Sequence, residues 1–174
     1  MLETKNIPYY VIAIGIFILF KFSFVYADTE DLKFLLKPTE KLIGLLTGTS
    51  SVYVLGKGYF YSHLNIVIDK SCAGFNFWVL SFLMLTFLGL QHYEGIVKKL
   101  AVITFALMGT YLFTVFVNTS RIFASIVIHN KTSGILENQQ HNIHEMIGIA
   151  TNLTFLILLY FFTDKFLTKK TSNA

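Results

Sequence analysis

A chain of 174 residues is one domain in size, yet 54% hydrophobic residues, 18 Phe, 9 Tyr and a mean hydropathy of +0.61 exceed what a soluble core needs and mark a membrane protein. The formal charge of +4 comes from 14 basic residues spread along the chain, which excludes the clustered stripe of a nucleic-acid binder and points to membrane topology and lipid headgroups. A single cysteine excludes an internal disulfide and any Cys-x-x-Cys metal or redox motif.

A bilayer core of about 30 Å takes roughly 20 apolar residues in a helix. Four stretches approach that length, at about 7–26, 74–91, 98–117 and 143–163. The expected fold is therefore mainly α, one membrane-embedded domain with four to five transmembrane helices. It divides into a first transmembrane segment (1–27), an extracytoplasmic element (28–71), a span-bearing part (72–163) and a cytoplasmic tail (164–174). The first stretch carries Lys21 near its end, where a long side chain can snorkel to the interface. Val25-Tyr26-Ala27 before Asp28 also fits a signal-peptidase site, but a retained helix is the expectation. Lys5, the Lys98-Lys99 pair and Lys165, Lys169 and Lys170 would fall on one side. Their density there makes that side cytoplasmic and puts Cys72, Asn118, Arg121 and His144 on the outer face.

Residues 28–71 break the composition: five acids balance five lysines and no span-length apolar run occurs. The first half, DLKFLLKPTEKLIGLLTG, mixes leucines with charges at helical spacing. Pro38 is expected to divide it into two short amphipathic pieces lying on the membrane surface. The second half, SVYVL-GKG-YFYSHLNIVID, places β-branched and aromatic runs around a Gly-Lys-Gly turn and reads as a β-hairpin whose second strand delivers the chain to Cys72. Gly56 and Gly58 match no phosphate-binding fingerprint and belong to the turn.

At Asp69-Lys70-Ser71-Cys72-Ala73-Gly74 a strand should end and an apolar helix begin. A cysteine at a helix N-terminus sees the positive end of the macrodipole, worth about 0.3–1 kcal/mol to an anion at an exposed site. Ala73 and Gly74 leave room for a substrate backbone. The plainer reading is a small buried hydrophobe, the commonest fate of a free cysteine. Asn118-Thr119-Ser120-Arg121 closes the third stretch, with Asn118 and the chain's only arginine on one helical face. Such an arginine either lines a cavity or reaches for headgroups. The run after it, IFASIVIHN, is too short to cross a bilayer, so it continues the helix, lies on the surface or dips back in. His141, His144 and Gly148 share roughly one face at the opening of the last stretch, where the glycine would leave a gap over the His144 ring. Two histidines three apart could bind a metal with Glu145 or His129. The pattern is not His-Glu-x-x-His and no cysteine cluster supports it, so neither metal nor cofactor is expected. His63 and His92 read as ordinary surface residues.

Cys72-Ala73-Gly74, Asn118-Thr119-Ser120-Arg121 and His144-Glu145-Met146-Ile147-Gly148 stand in one order. Over about residues 50–150 the chain thereby resembles the exosortase/archaeosortase family of membrane-embedded cysteine transpeptidases, whose marks are Cys-x-Gly, Asn-x-x-Arg and His-x-x-x-Gly. Many members have around eight spans, so this chain is similar to the compact variety named exosortase K. The resemblance implies Cys72 as nucleophile, Arg121 stabilising thiolate or oxyanion, and His144 as general acid and base, with Asn118 orienting Arg121 or donating to substrate and with Gly74 and Gly148 in support. It also implies a substrate: exported proteins whose C-terminal tail carries a recognition motif, a transmembrane helix and a basic cluster, as in the PEP-CTERM class, transferred to an acceptor that an amine on a lipid or glycan would fit. The setting would be a bacterial inner or cell membrane. Two other readings stand beside it: a non-enzymatic small-molecule-binding subunit of a transporter, with His144 and Arg121 lining an outward cavity, and a purely structural assembly protein.

Overall fold

A computed structural model describes the backbone over 4–132 and 140–172 and the side chains over 5–128 and 146–169. Five helices, α1 (Ile7–Tyr26), α2 (Lys33–Thr47), α3 (Phe75–His92), α4 (Ile96–Thr132) and α5 (Gln140–Ser172), and three short strands, β1 (Val52–Val54), β2 (Gly58–Tyr61) and β3 (Ile66–Ile68), make up the described fold. Among the described residues, four helical stretches are long and apolar enough to cross a membrane: Ile7–Tyr26, Lys70–His92, Ile96–Ile128 and Met146–Lys169. The chain is mainly helical with a small sheet, as its composition and periodicity predict. It gathers into two compact units, one of Met1–Tyr26, Asn76–Phe113 and Phe155–Ala174, the other of Ala27–Phe75 and Thr114–Thr154.

The first unit is built from apolar helix surface. α1 has no polar face, and Pro8 sits in its first turn, where a missing N–H costs nothing. Ala13, Phe82, Ile103 and Ala106 form a buried cluster, with Tyr9, Ile16 and Leu107 packed around it. Between apolar helices in lipid, association depends on close packing, which small side chains permit. Ala13 is fully buried, and at Gly89 even a Cβ would come within 2.5 Å of Val102 Cγ1. Polar groups in this apolar setting find local partners. Trp78 Nε1 donates to Leu107 O at 3.2 Å, and the Thr110 hydroxyl donates back to Ala106 O at 2.6 Å. Asn6 Nδ2 donates to Leu90 O at 2.9 Å, Lys99 Nζ lies 5.2 Å over the Tyr9 ring, and a groove is lined by Gly89, Tyr93, Lys98, Thr163 and Leu167. The start of α1, the end of α3, the start of α4 and the end of α5 therefore share one end of this unit, and Lys5, Lys98, Lys99 and Lys165 lie near it. Lys21 does not simply snorkel. Its ammonium donates to Asn76 Oδ1 at 2.8 Å at the opening of α3.

In the second unit α2 backs a three-stranded antiparallel meander in the order β1-β2-β3. Tyr53, Tyr59 and Ile68 lie opposite one another across the strands, and Tyr61 on the same side of β2 is fully buried. Tyr61 Oη donates to Glu40 O at 2.6 Å, and Ser51 Oγ donates to Glu40 Oε1 at 2.7 Å, which fastens sheet to helix. Burial, then the Glu40 charge, pushes the Tyr61 phenol up to about 12. At the open end of the sheet Glu30 accepts from Lys33 and Tyr53. Those bonds hold the Glu30 carboxyl below its usual range and raise the Lys33 ammonium above its own.

Two expectations for residues 28–71 need correction. Pro38 lies inside one continuous helix instead of dividing it. It removes a single ladder bond near the N-terminal end, while Leu32, Leu35, Leu36, Thr39 and Ile43, each 2% exposed or less, form an unbroken buried face that holds both halves together. Gly48, at φ +66°, then ends the helix in the left-handed conformation. The hairpin is a meander because Ser62-His63-Leu64-Asn65 turns the second run. Asn65 takes φ +50°, a conformation its short polar side chain tolerates, so a third strand leads to Cys72. The Gly-Lys-Gly turn is as expected: a Cβ on Gly58 would lie 2.3 Å from Ile68 O.

α4 settles the alternatives for IFASIVIHN. The run continues the helix, giving 37 residues, about 55 Å at 1.5 Å per residue, against a hydrocarbon core of about 30 Å.

Candidate active site around Cys72 and Arg121

Three motifs meet within the second unit, each brought there by a different device. Cys72 closes a 3-10 turn, Lys70–Cys72, between β3 and α3. Asp69 caps that turn, its Oδ1 accepting from Ser71 N at 2.9 Å and Ser71 Oγ at 2.6 Å, and Cys72 N returns to Asp69 O at 3.0 Å. Lys70 Nζ donates to Ala27 O at 2.6 Å, tying the turn to the chain that leaves α1. The sulfur is thus three residues ahead of α3 instead of in its first turn. Gly74, at φ +68°, makes the bend between them. Cys72 is 7% exposed and its Sγ lies 3.8 Å from Ser71 Oγ.

The second motif lies mid-helix on α4. Asn118, 3% exposed, donates its Nδ2 to the carbonyl oxygen of Cys72. Its side chain also fills the space beside Gly74, where a Cβ would lie 3.1 Å from Asn118 Cγ. In the structure this amide holds the backbone of the cysteine turn, beside the expected roles of orienting Arg121 or donating to substrate. One turn on, Arg121 has Nε and Nη2 buried with no hydrogen-bond partner among the described residues. The hydroxyls of Thr114 and Ser125, on the same face by helical spacing, share that condition. Buried unpaired donors are rare because each forgoes its water without compensation. A guanidinium in that state can accept a planar anion or an oxygen that becomes negative during a reaction.

The third motif comes from α5. Gly148 is buried against Arg121: a Cβ there would sit 3.6 Å from Cδ and 3.7 Å from Nη1. The glycine thus makes room for the arginine. His144 belongs to α5 one turn before Gly148, and its side chain lies outside the described residues, as do those of His129, His141 and Glu145. Among the described residues no group of three His, Cys, Asp or Glu side chains could hold a metal.

So α4 carries Asn118 against the cysteine turn and Arg121 against Gly148, and the Cys-x-Gly, Asn-x-x-Arg and Gly148 ends of the three motifs are neighbours. Sequence reasoning missed Asp69, Ser71 and Lys70. The Asp-x-Ser spacing just after an apolar strand was a legible capping signal, whereas nothing local pairs Lys70 with Ala27. No protein-family model, no curated protein and no solved structure matches this chain.

Proposed function

We propose that this protein is a membrane-embedded cysteine transpeptidase or protease. It cleaves the C-terminal sorting signal of exported proteins on the outer face of a bacterial cell membrane. The observation that carries the reading is Arg121: two buried guanidinium donors without a partner among the described residues, on the helix whose Asn118 grips the Cys72 carbonyl. The resemblance of the three motifs supplies the reaction class. The grouping of Lys5, Lys98, Lys99 and Lys165 toward one end supports a cytoplasmic assignment for that end.

In the reaction, Cys72 Sγ attacks the scissile carbonyl carbon, forming a C–S bond while the carbonyl π electrons move to oxygen. Arg121 stabilises the attacking thiolate or that oxyanion. Collapse breaks the C–N bond, and the leaving amine takes a proton from His144. A thioester remains on Cys72. An amine on a lipid or glycan acceptor then attacks the thioester and regenerates the thiol, whereas water in its place gives simple proteolysis. Anchoring enzyme and tail in one bilayer confines the scissile bond to the depth of the turn, which supplies proximity.

Co-expression with a tail-bearing substrate tests this. Cys72→Ala leaves the substrate uncleaved at unchanged enzyme abundance, and wild-type enzyme yields a thioester-linked intermediate on Cys72. Normal processing by the alanine variant refutes the proposal. The same buried guanidinium also suits a non-enzymatic subunit that captures an anionic small molecule. That reading predicts full function for Cys72→Ser, which a thiol enzyme does not survive.

A further inference from the structure

The amphipathic helix α2 has two apolar strips, and one of them is buried. Leu35, Leu36, Thr39 and Ile43 are buried. Phe34 (44%), Leu42 (38%), Leu45 (79%) and Leu46 (53%) form a second strip that remains exposed. Helical spacing puts Phe34, Leu42, Leu45 and Leu46 on one arc and Lys33, Lys37 and Lys41, at i, i+4 and i+8, along its border. Lys33 is engaged by Glu30, and Glu40 turns inward to Tyr61 and Ser51. Lys37 and Lys41 are exposed. The outward side of α2 is therefore leucine bordered by cations.

We infer that this strip seats on the membrane surface, Phe34, Leu42, Leu45 and Leu46 entering the headgroup–acyl boundary and Lys37 and Lys41 meeting the phosphates of anionic phospholipids. Chain connectivity selects this occupant. Residues 27–32 alone separate the end of the α1 span from α2, a reach of at most about 25 Å, and the α3 span follows β3 within a few residues. A leucine strip held that near a bilayer, edged by lysines, has the composition of an interfacial helix. Because α2 is fastened to β2 through Tyr61, and the turn bearing Cys72 follows β3, the seat sets the height of the thiol above the acyl chains. The inference rests on the multi-pass architecture and not on the cysteine chemistry.

Full-length protein in Cys72→Ser background, carrying Leu45→Cys labelled with an environment-sensitive fluorophore, is reconstituted into vesicles of phosphatidylcholine with or without phosphatidylglycerol. The label emits to the blue and is quenched by lipids brominated on the acyl chains, more strongly when phosphatidylglycerol is present. An anionic surface favours each nearby lysine about fivefold, so Lys37→Glu with Lys41→Glu lowers the seated-to-lifted ratio at least about twenty-five-fold. Water-like emission in both vesicle types overturns the inference. So does a blue shift without quenching by brominated lipid, which means that protein covers the strip. Sorting-signal cleavage is read separately, in protein that keeps Cys72, so failure of the proposed activity leaves this result intact.

Discussion

Replacing Asn118 by leucine, close in volume, removes the amide that donates to the Cys72 carbonyl and adds no charge. The carbonyl then sits in a buried site without its donor, at a cost of about 1–3 kcal/mol. Asn118 is 3% exposed and its neighbours include Gly74, so water does not replace the bond without disturbing packing. The cost falls first on the short turn from Asp69 to Gly74, which has local hydrogen bonds and one distant clamp besides Asn118, the Lys70 contact to Ala27. Cys72 is 7% exposed, so a maleimide must wait for that turn to open. At 1.4 kcal/mol per factor of ten, labelling of Cys72 in detergent or nanodiscs speeds up roughly five- to a hundredfold in Asn118→Leu. Ser120→Ala, which loses only a hydroxyl bond to Phe116 O on the outer side of the same helix, leaves the rate within about twofold. Equal labelling of Asn118→Leu and the parent refutes the clamp, whatever the enzyme's activity.

Gly74→Ala places a Cβ in a left-handed position at roughly 1–2 kcal/mol and 3.1 Å from Asn118 Cγ. Thermal unfolding falls accordingly, and combining it with Asn118→Ala destabilises by less than the sum, because the crowding is relieved. Arg121→Met removes two buried donors that have no partner among the described residues, so it raises stability by about 1 kcal/mol while abolishing substrate processing. A stability loss instead assigns the guanidinium a structural partner. Because burial raises the Tyr61 phenol in the fold from near 10 to about 12, the neutral form is favoured in the folded state. That contribution, about 3 kcal/mol, is complete below pH 10 and is lost as pH climbs from 10 through 12. Tyr61→Phe flattens the alkaline limb of a stability profile, and an unchanged limb contradicts the assignment.

The spans were legible because unbroken apolar runs are a one-dimensional signal: the first is Ile7–Tyr26 as read, and the others differ by several residues at their ends. The Cys72 turn was legible as a junction, since a β-branched run gave way to Asp-Lys-Ser-Cys and then to aromatic helix. Misreadings arose where distant packing outvoted a local rule. Pro38 is a breaker by itself, but the leucines on either side share one buried face. The Asn65 turn was hidden inside a run that looked like one strand. Asn118 could be placed on a helical face with Arg121, yet its partner is a carbonyl 46 residues earlier, which no periodicity encodes. Gly148 also neighbours Arg121 on another helix, a contact that no spacing within α5 encodes.

α4 runs unbroken for eleven residues beyond Arg121, from 122 to 132. Within such a rod every nearby carbonyl is already committed to the ladder, so no frayed terminus offers oxygens to the guanidinium. Among the described residues the buried Nε and Nη2 therefore have no acceptor, and an oxyanion that reaches them supplies one. Anion binding at Arg121 and thermal resistance should consequently rise together, making a simple melting screen of carboxylate and phosphonate fragments a route to the first ligand.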